Sequence, residues 1–349
     1  MKRVGALLAL LLIFTACGAG RSGAGACVGK TIDAISFGSP RMSLYQGELI
    51  RVCEDGSHLQ RLSAEEVDFP AGIAVMGNGD RVVTSGAPES LSQQLSVIDR
   101  SGKLKATIRV PYCPAGVAIN SDGLIIVGHK HGGALELDCD STATMVSIYT
   151  KDLTEKYRFP AATATNFISL NDGGVLGFAY DNAPIFEITR DLHFNLLGVS
   201  KYAGPITDAA VNKAKLVVST IRYTKASEHV GSVVVFSDFD SRFPPVNRVY
   251  DVPSLAGVAI GPDGRVFFAG STEIFTIDLA SGRPRVLSVG LRNPGKIAVM
   301  KSELLVENHH SLDQGADLEI YSLDTGKYER TLVRNIGHLS VLKISEVRG

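Results

Sequence analysis

The stretch PAGVAINSDGLIIVG, residues 114–128, decides the fold because closely similar text occurs elsewhere in the same chain. PAGIAVMGNGDRVVTSG stands at 70–86, and LAGVAIGPDGRVFFAG stands at 255–270. Each copy contains an apolar triplet, a turn with Asp-Gly or Asn-Gly, and a second apolar run. Asp-Gly and Asn-Gly readily adopt the positive φ angles of two-residue hairpin turns. The repeated text therefore predicts a repeated β-hairpin.

The copies are spaced as the units of a repeat protein. Six residues that immediately precede the apolar triplets are 39 to 51 residues apart: Gly72, Gly116, Phe167, Asp208, Gly257 and Lys296. A second hairpin with alternating apolar residues follows in several units, for example at 95–110 and 274–289. Four strands in about 45 residues, repeated along the chain, are typical of β-propeller blades. We therefore expect an all-β propeller.

The two ends of the chain predict how the propeller closes. A seventh apolar run begins at His338, but too few residues follow it to complete a blade. Residues 43–63 supply strand-like text without a first half. Pairing the N- and C-terminal strands in one blade would remove an exposed sheet edge. We expect one domain over 31–349 with seven four-stranded blades, and six or eight blades are the alternatives.

One unit resembles a known propeller repeat. Residues 95–128 resemble the YVTN-type repeat, in which VID, a turn, a strand, PxGVA and a DG turn follow in that order. The PAGIAV half is also similar to NHL-type repeats. These resemblances imply an architecture and leave the function open. The WD40 and quinoprotein classes are disfavoured because the chain has no Trp.

The N-terminus predicts export and a lipid anchor. Residues 1–16 combine a basic start with an apolar run that is too short to span a membrane, which is typical of a signal peptide. FTAC at 14–17 resembles the bacterial lipobox, and this resemblance implies that acyl chains on Cys17 bind the lipid bilayer. An ordinary secretory signal is the alternative. The Gly- and Ala-rich segment that follows predicts a flexible tether over 17–30.

The location within the envelope follows from the residue after the lipobox cysteine. Gly18 is not Asp, and by resemblance to the bacterial sorting pattern this favours the outer membrane, on either its periplasmic or its surface side.

Four cysteines besides Cys17 favour two disulfides in an exported chain. The candidates are Cys113 with Cys139, which fall on loops of one unit, and Cys27 with Cys53.

Charge gives no sign of a nucleic-acid partner, since the formal net charge is −1 and no block of like charge occurs.

In a propeller, the loops before the inner strands and after the second strands open on the same face as the central channel. That face is the default ligand site. The repeats place eight polar residues there: Asn166, Asp208, Lys296, His338, His129, His131, Arg222 and His309.

Two groups among these eight residues contain possible metal ligands. Asn166 and Asp208 resemble ligands of divalent-metal lactonase propellers of the SMP-30 kind, which implies one divalent cation on the axis, although the Glu of that set has no evident match. His129 and His131 fall in unit two and His309 in unit six, so we expect solvated loop histidines rather than a zinc site. The primary expectation is that the protein has no cofactor.

These patterns favour an exported envelope lipoprotein whose propeller is a non-enzymatic module for binding a protein, peptide or glycan. A lactonase-like hydrolase that uses a divalent metal is the first alternative. A scaffold in an outer-membrane assembly complex is the second, on architecture alone. Three or more convergent oxygen or nitrogen ligands at the channel mouth would reverse the preference for a binding module.

Overall fold

The computed structural model describes most of the chain downstream of the N-terminal segment. The described residues are 27, 29–37, 47–62, 70–85, 93–110, 113–129, 145–161, 164, 166–178, 185–197, 206–212, 215–223, 229–237, 246–252, 257–277, 283–311 and 315–347. They form 28 strands and no helix. Within these ranges there is accordingly no helix of the length and apolarity needed to cross a bilayer.

The strands form seven four-stranded antiparallel sheets, with the innermost strand of each of blades one to six coming first in the chain. Blade seven contains β1 (Gly29–Phe37), β2 (Gly47–Cys53) and β3 (Gln60–Leu62). Blades one and two contain β4 (Pro70–Val75), β5 (Arg81–Ser85), β6 (Gln94–Ile98), β7 (Leu104–Arg109), β8 (Pro114–Ile119), β9 (Ile125–His129), β10 (Met145–Tyr149) and β11 (Glu155–Pro160).

Blades three and four contain β12 (Asn166–Ser169), β13 (Val175–Phe178), β14 (Phe186–Ile188), β15 (Phe194–Leu196), β16 (Ile206–Asn212), β17 (Lys215–Tyr223), β18 (His229–Ser237) and β19 (Val246–Val252). Blades five and six contain β20 (Val258–Ile260), β21 (Val266–Ala269), β22 (Glu273–Ile277), β23 (Pro284–Val289), β24 (Pro294–Met300), β25 (Glu303–Ser311), β26 (Gly315–Ser322) and β27 (Tyr328–Ile336). The last strand, β28 (His338–Val347), is the innermost strand of blade seven.

The ring closes as the sequence predicted. β28 pairs antiparallel with β1, from Val347 opposite Gly29 to His338 opposite Phe37. Each inner strand contacts the inner strands of the two neighbouring blades, and β28 contacts β4 of blade one. The pairing of N- and C-terminal strands and the seven-bladed propeller are therefore confirmed.

The hydrophobic core lies between neighbouring blades. β9 of blade two is buried along its whole length, because blades cover both of its faces, whereas the outer strand β7 is mostly exposed. Continuous β-branched runs such as IIV at 125–127 suit a strand that is buried on both faces. In one of these clusters Val82 and Val97 of blade one pack with Val117 and Val127 of blade two.

Two kinds of glycine explain why the repeated text is so regular. Gly123 of the DG turn has a φ of +77°, which an L side chain rarely adopts. Gly72 lies at the start of an inner strand, where an added Cβ would collide with the backbone carbonyl of Ala115 in the next blade. At the equivalent Gly257, an added Cβ would lie 2.5 Å from the backbone nitrogen of Ile297. The repeat therefore preserves hairpin turns and close blade-to-blade contact.

Cysteine pairing supports part of the predicted disulfide pattern. A Cys27–Cys53 disulfide joins the segment before β1 to the end of β2, and this predicted pair is confirmed. Cys113 is also disulfide-bonded, while its predicted partner Cys139 lies outside the described residues. β1 begins at Gly29, two residues before the predicted start of the domain. The predicted signal peptide (1–16) and Cys17 lie outside the described residues.

Candidate functional site

Three side chains of types that can bind metal ions meet at the mouth of the channel, where blade six adjoins blade seven. Glu307 and His309 lie on β25, and because they are two residues apart their side chains leave the same face of the sheet. His338 is the first residue of β28. One donor atom of each residue lies within 4.8 Å of the donor atoms of the other two. Glu307 and His309 are buried, with 2% and 4% of their surface exposed, and His338 is exposed.

The Glu307 carboxylate is fixed by backbone groups of two blades. Its Oε2 accepts a hydrogen bond from the backbone N–H of Lys296 at 2.7 Å, and its Oε1 accepts one from Leu339 at 2.7 Å. Nε2 of His309 lies 3.1 Å from Oε1. A carboxylate has about four lone-pair positions, so the two amides leave positions that could accept a metal ion. The same carboxylate thus connects β24 with β28 and positions His309.

Gly295 provides the space for this arrangement. A Cβ added to Gly295 would overlap Oε2 of Glu307 and lie 3.0 Å from Nε2 of His309. The side chains of Glu307 and His309 can therefore lie against the start of β24 only because residue 295 has no side chain.

The two imidazoles complete the cluster. The ring centroids of His309 and His338 are 4.3 Å apart, with 34° between the ring planes. Nδ1 of His309 is buried and has no hydrogen-bond partner among the described residues. Two imidazole nitrogens and one carboxylate oxygen match the protein ligands of catalytic zinc sites, which keep a fourth position open. A cavity of about 240 Å³ borders all three side chains.

A second cavity, of about 350 Å³, lies along the channel between the inner strands of blades three to seven. Lys296 lines both cavities. Its ammonium group lies 3.0 Å from Oδ1 of Asp208 and donates a hydrogen bond to the carbonyl of Thr207 at 3.0 Å. Oδ2 of Asp208 accepts a hydrogen bond from the backbone N–H of Val258 at 3.1 Å. Asp208 is therefore held by an ion pair and a backbone amide.

Lys343 of β28 also lines the channel cavity. Its ammonium group donates a hydrogen bond of 2.6 Å to the carbonyl of Phe167. The pKa of Lys343 is lowered to about 8: desolvation by burial is the main cause, the charge of Asp208 opposes it, and the positive charge of Lys296 adds to the lowering. Removing an ammonium group from water disfavours its charged form unless an anion compensates it.

The predicted site residues divide between these two cavities. Asn166, Asp208 and Lys296 line the channel cavity, and His309 and His338 line the cavity at the mouth. Asp208 does not belong to the group of convergent metal donors found in the described part of the chain. Its carboxylate pairs with Lys296, and the use of Asn166 and Asp208 as metal ligands stays a prediction.

The expectation of solvated histidines is wrong for two residues. His129 is fully buried in blade two, where its Nε2 lies 2.9 Å from Oγ of Ser147, and His309 is buried in the cluster. His131 lies outside the described residues. Arg222 lies on β17, but its side chain is outside the described part of the structure.

Glu307 was not among the site residues predicted from the sequence. His309 and His338 were both expected on the channel face, but these residues of adjacent units were not combined into one site. The Glu-x-His spacing on a predicted strand was the available signal, since alternate strand residues share a face.

Comparison with known proteins supports the fold. Neither a protein-family model nor a curated protein matches the chain. A 6-phosphogluconolactonase-like protein of Bacteroides fragilis is similar in structure, with a TM-score of 0.58, 13% identity, and coverage of 91% of this chain and 98% of that one. Virginiamycin B lyase of Staphylococcus aureus gives a TM-score of 0.54 at 13% identity, covering 76% and 85%.

A third similar structure is Sqt1 of Saccharomyces cerevisiae, with a TM-score of 0.56 at 11% identity, covering 84% of this chain and 81% of that one. The chain is a seven-bladed β-propeller. At these identities the similarity establishes the fold alone, and propellers carry many unrelated functions.

Proposed function

We propose that this protein is an envelope lipoprotein whose propeller binds a divalent cation at the channel mouth and hydrolyses a small polar molecule there. The convergence of Glu307, His309 and His338 beside a cavity carries this proposal. Two of the three donors are buried, so a small molecule reaches the site more readily than a folded partner does. This donor set favours the hydrolase alternative over the non-enzymatic binding module.

The proposed chemistry follows from the number of protein ligands. Three protein ligands leave a coordination position for water, and a divalent metal lowers the pKa of that water towards neutrality. The carboxylate of Glu307 is fixed by two backbone amides, which limits the movement of His309 beside it. A polarised ester or lactone carbonyl in the cavity is the class of group that such a site attacks.

Two observations support export of the chain. The segment 1–17 has the pattern of a lipoprotein signal, and disulfides such as Cys27–Cys53 form in oxidising compartments outside the cytoplasm. We propose that acyl chains on Cys17 hold the propeller at a membrane, with the outer membrane favoured by Gly18.

Metal titration tests the proposed function directly. Calorimetry of metal-stripped protein with Zn²⁺ or Mn²⁺ should show one site, and His309→Ala or His338→Ala should weaken it at least 10-fold. His193→Ala is the matched control, because His193 is exposed in blade three. Hydrolysis of a panel of lactones and esters should require the metal. Wild-type protein that binds neither ion would overturn the proposal.

A further inference from the structure

We propose that the channel cavity beneath the mouth is an anion-binding site, in which Lys296 and Lys343 hold a carboxylate or phosphate group. The assignment of that anion to the hydrolysed substrate rests on the proposed function. The anion site itself does not, because none of the three metal donors forms part of it.

The channel cavity is lined by more positive than negative side chains among the described residues. Lys296 and Lys343 both line it, and Asp208 is the carboxylate that approaches them. Asp208 is already paired with Lys296 at 3.0 Å. No carboxylate among the described residues lies within ion-pair distance of Lys343. Among the described residues that line the cavity, there is therefore one positive charge in excess.

The ammonium groups of the two lysines do not use all of their hydrogen-bond donors on the described residues. An ammonium group carries three donors. Lys343 uses one on the carbonyl of Phe167, and Lys296 uses two, on Asp208 and Thr207. Three N–H groups thus lack a partner within the described part of the chain. The buried hydroxyl of Ser340, on the same strand as Lys343, also lacks one. An oxyanion offers several acceptors to such donors.

Lys343 is partly buried. Withdrawing a charge from water without a counter-ion is costly, and ionisable groups in that state are concentrated at functional sites. The lowered pKa of Lys343 is consistent with this cost. A bound anion would offset the cost, whereas a cation would add to it and a neutral group would leave it unchanged.

The position of the site defines its ligand. Lys296 borders both cavities, and its backbone N–H bonds to the proposed metal ligand Glu307. An anionic substituent in the channel would therefore place the rest of a small molecule towards the metal. The two cavities together favour a compact carboxylated or phosphorylated molecule.

The experiment uses the mature chain after metal removal, with inorganic phosphate and succinate as separate probes in calorimetry. We expect one of them to bind at one site. Lys343→Met should weaken that binding at least 10-fold, and Lys343→Arg should retain more of it than Lys343→Met does. Lys105→Met is the control, since Lys105 lies on the outer strand of blade one with half of its side chain exposed. Circular dichroism verifies that each variant is folded.

The outcomes separate the two proposals. Binding of phosphate alone identifies a phosphorylated ligand, and binding of succinate alone identifies a carboxylated one. No binding of either probe, or binding that is unchanged in Lys343→Met, overturns the anion site even if zinc still binds. Loss of zinc binding in His338→Ala with anion binding retained keeps the two sites independent. Anion binding by a wild-type protein that binds no divalent cation would overturn the metal proposal alone.

Discussion

The backbone N–H of Lys296 donates a 2.7 Å hydrogen bond to Oε2 of Glu307, while the ammonium group of the same lysine lies 3.0 Å from Asp208. One residue at the start of β24 thereby joins the polar cluster at the mouth to the charged channel below it. The repeat has Gly at this position in blades one, two and five, so the connection depends on a departure from the repeated text.

Glu307→Gln tests how much the hydrogen bonds of the Glu307 carboxylate to the backbone of Lys296 and Leu339 contribute to stability. The neutral amide keeps the shape but has one acceptor oxygen, so one of the buried N–H groups of Lys296 and Leu339 would lose its partner. We expect a loss of about 1–3 kcal/mol in the free energy of unfolding, measured in urea. We also expect about 10- to 100-fold weaker zinc binding.

Glu329→Gln is the control for that substitution, because Glu329 is more than one-third exposed and lies 3.7 Å from Arg330. Equal effects of the two substitutions would contradict a specific role for Glu307.

Gly295→Ala tests the space on which the cluster depends. The added methyl group would overlap Glu307 and crowd His309, so the donors would have to move apart. We expect zinc affinity to fall about 10-fold or more, because displaced ligands no longer meet at bonding distance. Gly77→Ala is the matched control, since a Cβ there has no neighbour within 4 Å. Zinc affinity equal to wild type in Gly295→Ala would contradict the proposed geometry.

The fold could be predicted because its determinants are local in the sequence. Every regular copy of the repeat has glycine at the turn position of Gly123 and at the close-contact position of Gly72. The spacing of these glycines predicts the blades. The ring closure followed from the incomplete units at the two ends. The structure confirms both predictions: strands of blades one to six pair with neighbouring segments of the chain, and β1 pairs with β28 across the two ends.

The site was only partly predictable, because it forms between blades. Departures from the repeated glycine pointed to Asn166, Asp208, Lys296 and His338, and all four line the two cavities. Glu307 and Lys343 lie inside strands, where repeat text gives no sign of their contacts with a neighbouring blade. The ion pair of Lys296 with Asp208 connects residues 88 positions apart, and no spacing rule predicts it.

Cys17→Ser tests the proposed lipid anchor. If acyl chains on this cysteine hold the protein, the variant should leave the membrane fraction, because a serine at this position would not carry those chains. Fractionation and incorporation of labelled palmitate measure this change. Ser22→Ala, in the predicted tether, should remain with the membranes. A Cys17→Ser variant that stays membrane-bound would show that the anchor prediction is wrong.

Lys343→Met should stabilise the protein, and the gain should depend on pH. The pKa of Lys343 is lowered from 10.5 to about 8 in the folded state. Between these values the unfolded chain holds a proton that the folded chain has released, so the free energy of unfolding of the wild type rises with pH over this window. Below pH 8 Lys343 is protonated in both the folded and the unfolded state, so the wild type bears the full cost of holding the charged ammonium group inside the fold.

We therefore expect Lys343→Met to exceed the wild type in stability by about 3 kcal/mol at pH 7, and by less at pH 9.5. Urea unfolding of both proteins at the two pH values measures the difference, and groups common to both cancel. A saturating anion that binds the channel should narrow the gap at pH 7 by stabilising the wild type alone. A gap that is the same at both pH values would contradict an uncompensated Lys343.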